Sequence, residues 1–216
     1  MINNDQVLNM FKRIATESAT PNLAIKFGSG DLSDFDVEFI TNYTDINTTL
    51  LDIGSGSGLT VNKLITRVRK IVAVEPFEEL SKYIISSPKI SVVNNNILDF
   101  QTDQSFDVIT CFGVMQYFNI EEAKVIYKKL FRLLKENGTF IIKNQFGVQD
   151  DVVVSGYSEK LKMDYFSEYR YLQKEISLIK SCENCKITVH DIYPAKHNHW
   201  NNTHFYALVV KKIIID

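Results

Sequence analysis

The feature that most constrains this sequence is an apolar strand that runs directly into a glycine loop. Residues 50–58 read LLDIGSGSG, and a helical pattern begins after Ser57. Glycines at such a turn permit a sharp bend and let a ligand approach the backbone without Cβ atoms in the way. The order of strand, glycine turn and helix therefore predicts a ligand site, with a tight turn that binds nothing as the simpler alternative.

A second apolar strand, KIVAVEP at residues 70–76, strengthens this prediction because it ends in Glu75. In nucleotide-binding α/β folds, an acidic side chain at the tip of the second strand accepts hydrogen bonds from ribose hydroxyls. Dinucleotide enzymes favour G-x-G-x-x-G, with a pyrophosphate at the helix N-terminus, whereas this loop reads Gly54-x-Gly56-x-Gly58. We expect a ligand with a ribose and no pyrophosphate.

The rest of the chain alternates short apolar strands with amphipathic helices, which is typical of a doubly wound α/β fold. We predict a seven-stranded, mostly parallel sheet with helices on both faces and a C-terminal antiparallel hairpin. The predicted strands are 49–54, 70–76, 89–95, 106–112, 139–144, 186–194 and 203–212. A chain of 216 residues suits one domain, which we assign to residues 1–216.

Helices are predicted between and before these strands. A leading helix spans residues 5–18, and a capping box of Ser33 and Asp36 starts a second helix that runs to about Tyr43. Further helices follow Ser57 and cover residues 77–86 and 120–134. A last helix is predicted from Asp164 to Ser181, where Tyr165 and Tyr169 are spaced to share one face.

Composition excludes several classes of protein. The net charge is −2 and no basic run occurs, so we expect no nucleic-acid partner. The chain has no stretch of 18 apolar residues and its N-terminus lacks the apolar core of a secretory signal, so we expect a cytoplasmic protein without a membrane partner. A lone C-x-x-C at Cys182 and Cys185 is a weak signal, and no metal site is predicted.

Five segments, taken together, resemble the motifs of the class I S-adenosylmethionine-dependent methyltransferases of small-molecule type. They are LLDIGSGSG at 50–58, VAVEP at 72–76, NNNILDF at 94–100, FDVITCFGVMQYF at 106–118 and LLKENGTFIIK at 133–143. These segments cover roughly residues 48–145 in the order and spacing of that family. The resemblance is far more specific than any one of the motifs.

The resemblance implies S-adenosylmethionine as cofactor and S-adenosylhomocysteine as product. It implies that the glycine loop and Asp52 contact the methionyl part, that Glu75 binds the ribose, and that Asn96 stands where the family usually has an acidic residue near the adenine. The implied cofactor-binding residues are Asp52, Gly54, Ser55, Gly56, Gly58, Glu75, Pro76, Phe77, Asn96, Ile97, Cys111, Phe112 and Gly113.

The substrate is expected beyond the carboxyl ends of the strands, as in other doubly wound sheets. The candidate substrate-binding residues are Gln116, Tyr117, Asn144, Tyr157, Tyr165, Tyr169, Arg170 and Trp200. Relatives often carry a histidine where Gln116 or Tyr117 stands, and this chain has none there. The candidate catalytic residues are therefore Tyr117 at that position and His199 and His197 in the loop between the last two strands. Residues 1–47 are expected to form a helical lid, with Phe11 and Phe27 as contributors, and residues 146–182 an inserted segment on the substrate side.

The predicted function is methyl transfer from S-adenosylmethionine to a small-molecule or carbohydrate acceptor, at oxygen, by a monomer or homodimer. N-methylation of a small molecule is the alternative within the class. A nucleic-acid methyltransferase is disfavoured because no adjacent prolines follow the fourth strand. A nicotinamide-dependent oxidoreductase and a non-catalytic binding protein are the alternatives from other classes.

Overall fold

The centre of the fold is a seven-stranded sheet with the strand order β3-β2-β1-β4-β5-β9-β8. The computed structural model describes residues 4–17, 31–159 and 163–213. The strands of this sheet are β1 Thr49–Ile53, β2 Lys70–Val74, β3 Ile90–Val93, β4 Phe106–Phe112, β5 Leu134–Gly147, β8 Cys185–His190 and β9 Thr203–Lys212. β1 to β5 pair in parallel, whereas β9 is antiparallel to both β5 and β8. The predicted α/β fold with its C-terminal hairpin is confirmed.

Helices cover both faces of the sheet. The helices are α1 Asn4–Glu17, α2 Ser33–Thr41, α3 Leu59–Leu64, α4 Glu78–Ser81, α5 Ile120–Leu133 and α6 Leu172–Cys182. Neighbouring strand residues point to opposite faces, so Leu50 packs with α2 and α3 while Leu51 packs with α5 and α6. None of the described helices is both long and apolar enough to span a membrane.

The helix prediction for residues 164–181 is wrong in its first part. β6 Val152–Ser158 and β7 Met163–Tyr169 form a separate antiparallel hairpin, and the helix α6 begins only at Leu172. The reason is that Tyr165 and Tyr169, four residues apart, share a face in a strand as well as in a helix. Both tyrosines are buried, and Tyr165 packs with Val7 and Met10 of α1.

Helix α2 begins at Ser33 as predicted, but without the predicted capping box. The carboxylate of Asp31 accepts hydrogen bonds from the backbone N–H of Ser33, at 2.9 Å, and from its hydroxyl. Asp36 is buried and forms an ion pair with Lys143 at 2.7 Å, so its carboxylate is committed to a distant strand. The long-range ion pair replaces the local cap.

Candidate active site

A cavity of about 390 Å³ opens at the carboxyl ends of the parallel strands, where open α/β sheets bind their ligands. The glycine loop, the ends of β2 and β3, the loop after β4, helices α1 and α2 and the loop between β8 and β9 all contribute to its wall. The predicted site residues that line it are Asp52, Gly54, Ser55, Gly56, Glu75, Pro76, Phe77, Asn96, Ile97, Phe112, Gly113, Gln116, Tyr117, His197 and Trp200. The two motif strands and the loop after β4 therefore converge on one site.

The three glycines of the loop have positive φ angles, of 72° at Gly54, 53° at Gly56 and 78° at Gly58. A Cβ atom at Gly54 would lie 2.3 Å from a methyl group of Val114, and one at Gly58 would lie 2.7 Å from Ile84. At Gly56, by contrast, no heavy atom of the described residues lies within 4 Å of such a Cβ. Gly54 and Gly58 are thus required for packing, whereas Gly56 leaves the cavity open.

Glu75 is buried beside this loop, and its carboxylate is held by two backbone N–H groups. Gly56 donates to Oε2 at 2.9 Å and Phe77 donates to Oε1 at 3.1 Å. Burial raises the pKa of Glu75 from 4.5 to about 7, although both N–H groups counteract this. Each carboxylate oxygen keeps a further lone pair that a ligand hydroxyl can use.

Asp52 is the last residue but one of β1, and its side chain lies on the face of the sheet that packs against α2. Its Oδ1 accepts a hydrogen bond from the hydroxyl of Thr110 at 2.5 Å, and its backbone carbonyl accepts one from the Ser55 hydroxyl at 3.1 Å. Burial raises the pKa of Asp52 from 3.8 to about 6. A buried carboxylate of this kind favours a cationic ligand group, because the cation would offset the cost of its burial.

The loop after β4 forms a short 3₁₀ helix, Met115–Tyr117, whose polar side chains face the cavity. The Gln116 side-chain amide donates to the Tyr117 hydroxyl at 3.1 Å, while the buried Oε1 of Gln116 has no hydrogen-bond partner among the described residues. Phe11 of α1 contacts the Tyr117 ring edge-on at 4.8 Å and lines the cavity. Phe27, the other aromatic residue expected in the lid, lies outside the described residues.

Arg170 does not line the cavity but is buried beneath this 3₁₀ helix. Its guanidinium donates to the backbone carbonyls of Phe118 at 2.7 Å and Met115 at 2.9 Å, and it forms an ion pair with Glu175. Burial lowers the pKa of Arg170, but the Glu175 carboxylate outweighs burial and raises it. The predicted substrate contact is therefore replaced by a role in which Arg170 positions the segment that carries Gln116.

The remaining predicted site residues lie outside the cavity lining. They are Gly58, Cys111, Asn144, Tyr157, Tyr165, Tyr169 and His199. Tyr157 is 59% exposed on the outer hairpin, and Cys111 points to the opposite face of the sheet from Asp52, into the core against α5. His199 is exposed, and its ring stacks on that of Trp200 with 3.8 Å between the ring centres. The indole of Trp200, and not the imidazole of His199, lines the cavity.

The sequence analysis missed a buried cluster of Asp36, Lys143 and Tyr193 that lines the same cavity. Lys143 lies within an apolar part of β5 that is buried on both faces. A charged side chain in such a strand requires a buried partner. The lysine within an apolar strand was therefore the signal in the sequence that such a partner exists. The partners lie 107 and 50 residues away, which no local pattern indicates.

The comparisons with known proteins agree with this geometry. Residues 51–142 match the family model described as a methyltransferase domain. The chain carries a methyltransferase domain and has the fold of the class I S-adenosylmethionine-dependent methyltransferases. The matched residues include the glycine loop, Glu75 and the loop after β4.

Three relatives illustrate how broad this methyltransferase class is. The ubiquinone/menaquinone biosynthesis C-methyltransferase UbiE of Rickettsia prowazekii is 24% identical over 207 residues, which cover 84% of this chain and 81% of the relative. Among solved structures, an S-adenosylmethionine-dependent methyltransferase from Clostridium acetobutylicum has a TM-score of 0.60 and 17% identity, with 96% of this chain and 98% of that chain covered. Phosphoethanolamine N-methyltransferase 1 of Haemonchus contortus has a TM-score of 0.74 and 14% identity, with 99% of this chain and 50% of that chain covered.

Some of the similar solved structures are complexes with S-adenosylmethionine or with S-adenosylhomocysteine. The residues present fit such a group, because a buried carboxylate at Glu75 faces the cavity beside an open Gly56 and a second buried carboxylate at Asp52 lies next to it. Within the described ranges, no group of three or more His, Cys, Asp or Glu side chains is arranged to hold a metal ion.

Proposed function

We propose that this methyltransferase transfers the methyl group of S-adenosylmethionine to a small-molecule or carbohydrate acceptor, at oxygen. The observation that carries the proposal is that Gln116, whose buried Oε1 has no partner within the described part of the chain, lines the same cavity as Glu75 and the glycine loop. Small-molecule sites usually measure about 300–1,000 Å³. A cavity of about 390 Å³ that also receives a cofactor supports a small acceptor.

We propose that the cofactor lies with its ribose on Glu75 and its methionyl part between the glycine loop and Asp52. Phe77, Asn96 and Ile97 then surround the adenine, and Phe112 and Gly113 lie under the methionyl chain. That all of these residues line one cavity supports this placement. Cys111 and Gly58 support the site from behind the wall rather than from within it.

When bound, S-adenosylmethionine supplies an electrophilic methyl group on a sulfonium. The protein has to align the acceptor with that methyl group and exclude water. Gln116 Oε1 accepts a hydrogen bond from a second polar group of the acceptor and so orients the acceptor, with its reacting hydroxyl towards the methyl group. α1, through Val7, Leu8 and Phe11, provides the apolar cover.

His197 is the proposed general base, because it is the histidine that lines the cavity, whereas His199 does not. It would take the hydroxyl proton on a ring nitrogen while the methyl group passes from sulfur to the acceptor oxygen, which leaves the sulfur as a neutral thioether. Tyr117 is less suited to this role, since burial raises the pKa of its hydroxyl. We assign Tyr117 to the orientation of Gln116 instead.

An amine acceptor is the second candidate, and the same unpaired oxygen supports it. Gln116 Oε1 accepts equally well from an N–H group, and a neutral amine needs no base within the protein. A non-catalytic binding protein could have its pocket filled by side chains, and the open cavity argues against that alternative. The match to a methyltransferase domain argues against a nicotinamide-dependent oxidoreductase. The cytoplasmic location and the monomeric or homodimeric state stay predictions.

A panel of small hydroxyl and amine acceptors, analysed by mass spectrometry, tests the acceptor type. We expect methyl ethers, and products methylated only at nitrogen would overturn the oxygen assignment. The base is tested by kcat in His197→Asn, with His199→Asn from the same loop as the matched control. We expect a much larger fall in kcat in His197→Asn, with S-adenosylmethionine binding retained; equal falls in the two variants would contradict the assignment.

A further inference from the structure

Asp36, Lys143 and Tyr193 form a closed hydrogen-bonded triad that the mechanism above does not use. Lys143 Nζ donates to Asp36 Oδ2 at 2.7 Å and to the Tyr193 hydroxyl at 2.5 Å, and that hydroxyl donates to Asp36 Oδ1 at 2.7 Å. The Lys143 and Asp36 side chains are only 11% and 9% exposed. The triad ties α2, β5 and the loop after β8 to the wall of the cavity.

The donors and acceptors of this triad do not balance. An ammonium group has three N–H donors, and Lys143 uses two of them on Asp36 and Tyr193. The third has no hydrogen-bond partner among the described residues, and Nζ lies 4.8 Å from the centre of the Phe112 ring. A buried donor of a charged group costs free energy when it stays unpaired. The triad therefore offers one strong donor to a ligand in the cavity.

This donor lies at the same end of the cavity as Asp52. Asp52 and Lys143 point to the same face of the sheet, since Leu50 of β1 and Ile141 of β5, each two residues away, both pack against α2 and α3. The strand between them, β4, pairs Thr110 with Asp52 and Phe112 with Lys143. Asp36, Lys143 and Asp52 all line the same cavity, and the charges of Asp36 and Lys143 act on the ionisation of Asp52.

We propose that Lys143, held in place by Asp36 and Tyr193, binds the α-carboxylate of the methionyl group of S-adenosylmethionine. The inference rests on the proposed placement of the methionyl part next to Asp52. The α-ammonium and the α-carboxylate are attached to one carbon atom, so a carboxylate and a cation on the same face complement both. Asp36 offsets the charge of Lys143, and the third N–H of Lys143 is left to bind the carboxylate of the ligand.

Calorimetric binding of S-adenosylmethionine and of its decarboxylated form tests the proposal, because these two ligands differ only in the carboxylate. The wild-type protein is expected to bind S-adenosylmethionine about 10-fold to 100-fold more tightly, as a hydrogen bond between charged groups allows. In Lys143→Met this preference is expected to fall to within about threefold. Lys135→Met, which removes a surface lysine paired with Asp107, is the matched control and should keep the preference.

The wild-type comparison needs no variant to fold, and an absence of preference there overturns the proposal. The double variant Asp36→Asn/Lys143→Met leaves no unpaired buried charge, so it serves for the same binding measurement if Lys143→Met alone does not fold. If Lys143→Met weakens both ligands equally, the triad is structural and the inference is wrong. If the wild-type protein binds neither ligand, the proposed cofactor site fails, which is a different outcome from a lost preference.

Discussion

The backbone N–H of Gly56 donates a hydrogen bond to Oε2 of Glu75 over 2.9 Å, and this bond joins the glycine loop after β1 to the end of β2. The carboxylate and the turn therefore lie on the same side of the sheet and face one cavity. Had they faced opposite sides, the two motifs could not bind one ligand. The enzymatic assignment depends on this contact.

Replacement of Glu75 by alanine is expected to weaken S-adenosylmethionine binding by about 10-fold to 100-fold, since a hydrogen bond to a charged group contributes roughly 1.5–3 kcal/mol. Isothermal titration calorimetry measures the change. Glu78→Ala, on the exposed start of α4, is the control and should bind as the wild type does. Equal affinities of Glu75→Ala and wild type would contradict the ribose assignment.

The unliganded protein is expected to lose stability as the pH rises towards neutrality. Burial raises the pKa of Glu75 from 4.5 to about 7 and that of Asp52 from 3.8 to about 6, so the native state retains protons that the unfolded chain releases. This contribution to stability is complete below the unfolded pKa values and is lost as the pH rises through the folded ones.

Urea unfolding across that pH interval measures this effect. Glu75→Gln keeps the shape of the side chain but does not titrate, so its free energy of unfolding should depend less on pH between 4.5 and 7 than that of the wild type. The exposed Glu78→Gln is the matched control. Parallel curves for Glu75→Gln and wild type would show that Glu75 titrates normally.

Alanine at Gly54 and at Gly56 should have different effects, although both glycines have positive φ angles. A left-handed conformation costs a non-glycine residue roughly 1–2 kcal/mol in either case. At Gly54 a clash with Val114 adds to this, so we expect the larger fall in Tm there. At Gly56 the new methyl group enters the cavity, so we expect the fall in affinity for S-adenosylhomocysteine to exceed what the Tm change accounts for.

Scanning calorimetry and ligand titration of the two alanine variants separate these contributions. A larger fall in Tm in Gly56→Ala than in Gly54→Ala would mean that the Val114 side chain moves away from the new methyl group at little cost. An unchanged affinity in Gly56→Ala would place the ligand away from the loop.

Arg170→Met is expected to destabilise the fold by about 3–5 kcal/mol, because it leaves Glu175 as an uncompensated buried charge. Arg170→Met/Glu175→Gln should recover much of this loss. Lys174→Met removes a partly exposed ion pair with Asp151 and should cost no more than about 1 kcal/mol. Urea unfolding gives all three values, and a double variant no more stable than the single one would exclude the charge argument.

The central sheet and the glycine loop were predictable because their information is local. Residues 50–58 combine an apolar run with glycines at a fixed spacing, and Glu75 follows at the end of the next strand. In a parallel sheet, adjacent strand ends meet at one edge, so the sequence order alone brings these groups together. The cavity lining agrees with this for Asp52, Gly56 and Glu75.

The hairpin of β6 and β7 and the triad of Lys143 were not predictable in the same way. Tyr165 and Tyr169 satisfy the helical and the extended period at once, and tertiary packing, such as that of Tyr165 against α1 and Tyr117, selects the strand. Asp36, Lys143 and Tyr193 come from three distant elements. Their proximity depends on tertiary packing, which residue spacing does not encode.

The guanidinium of Arg170 also has a consequence for protein engineering. It links the end of the β6–β7 hairpin to the carbonyls of Met115 and Phe118, on either side of Gln116. A hairpin exchanged from another methyltransferase to change acceptor preference would have to bring both Arg170 and the Glu175 interaction with it. Otherwise the transplanted residues would alter the position of Gln116 while leaving the cofactor half of the enzyme intact.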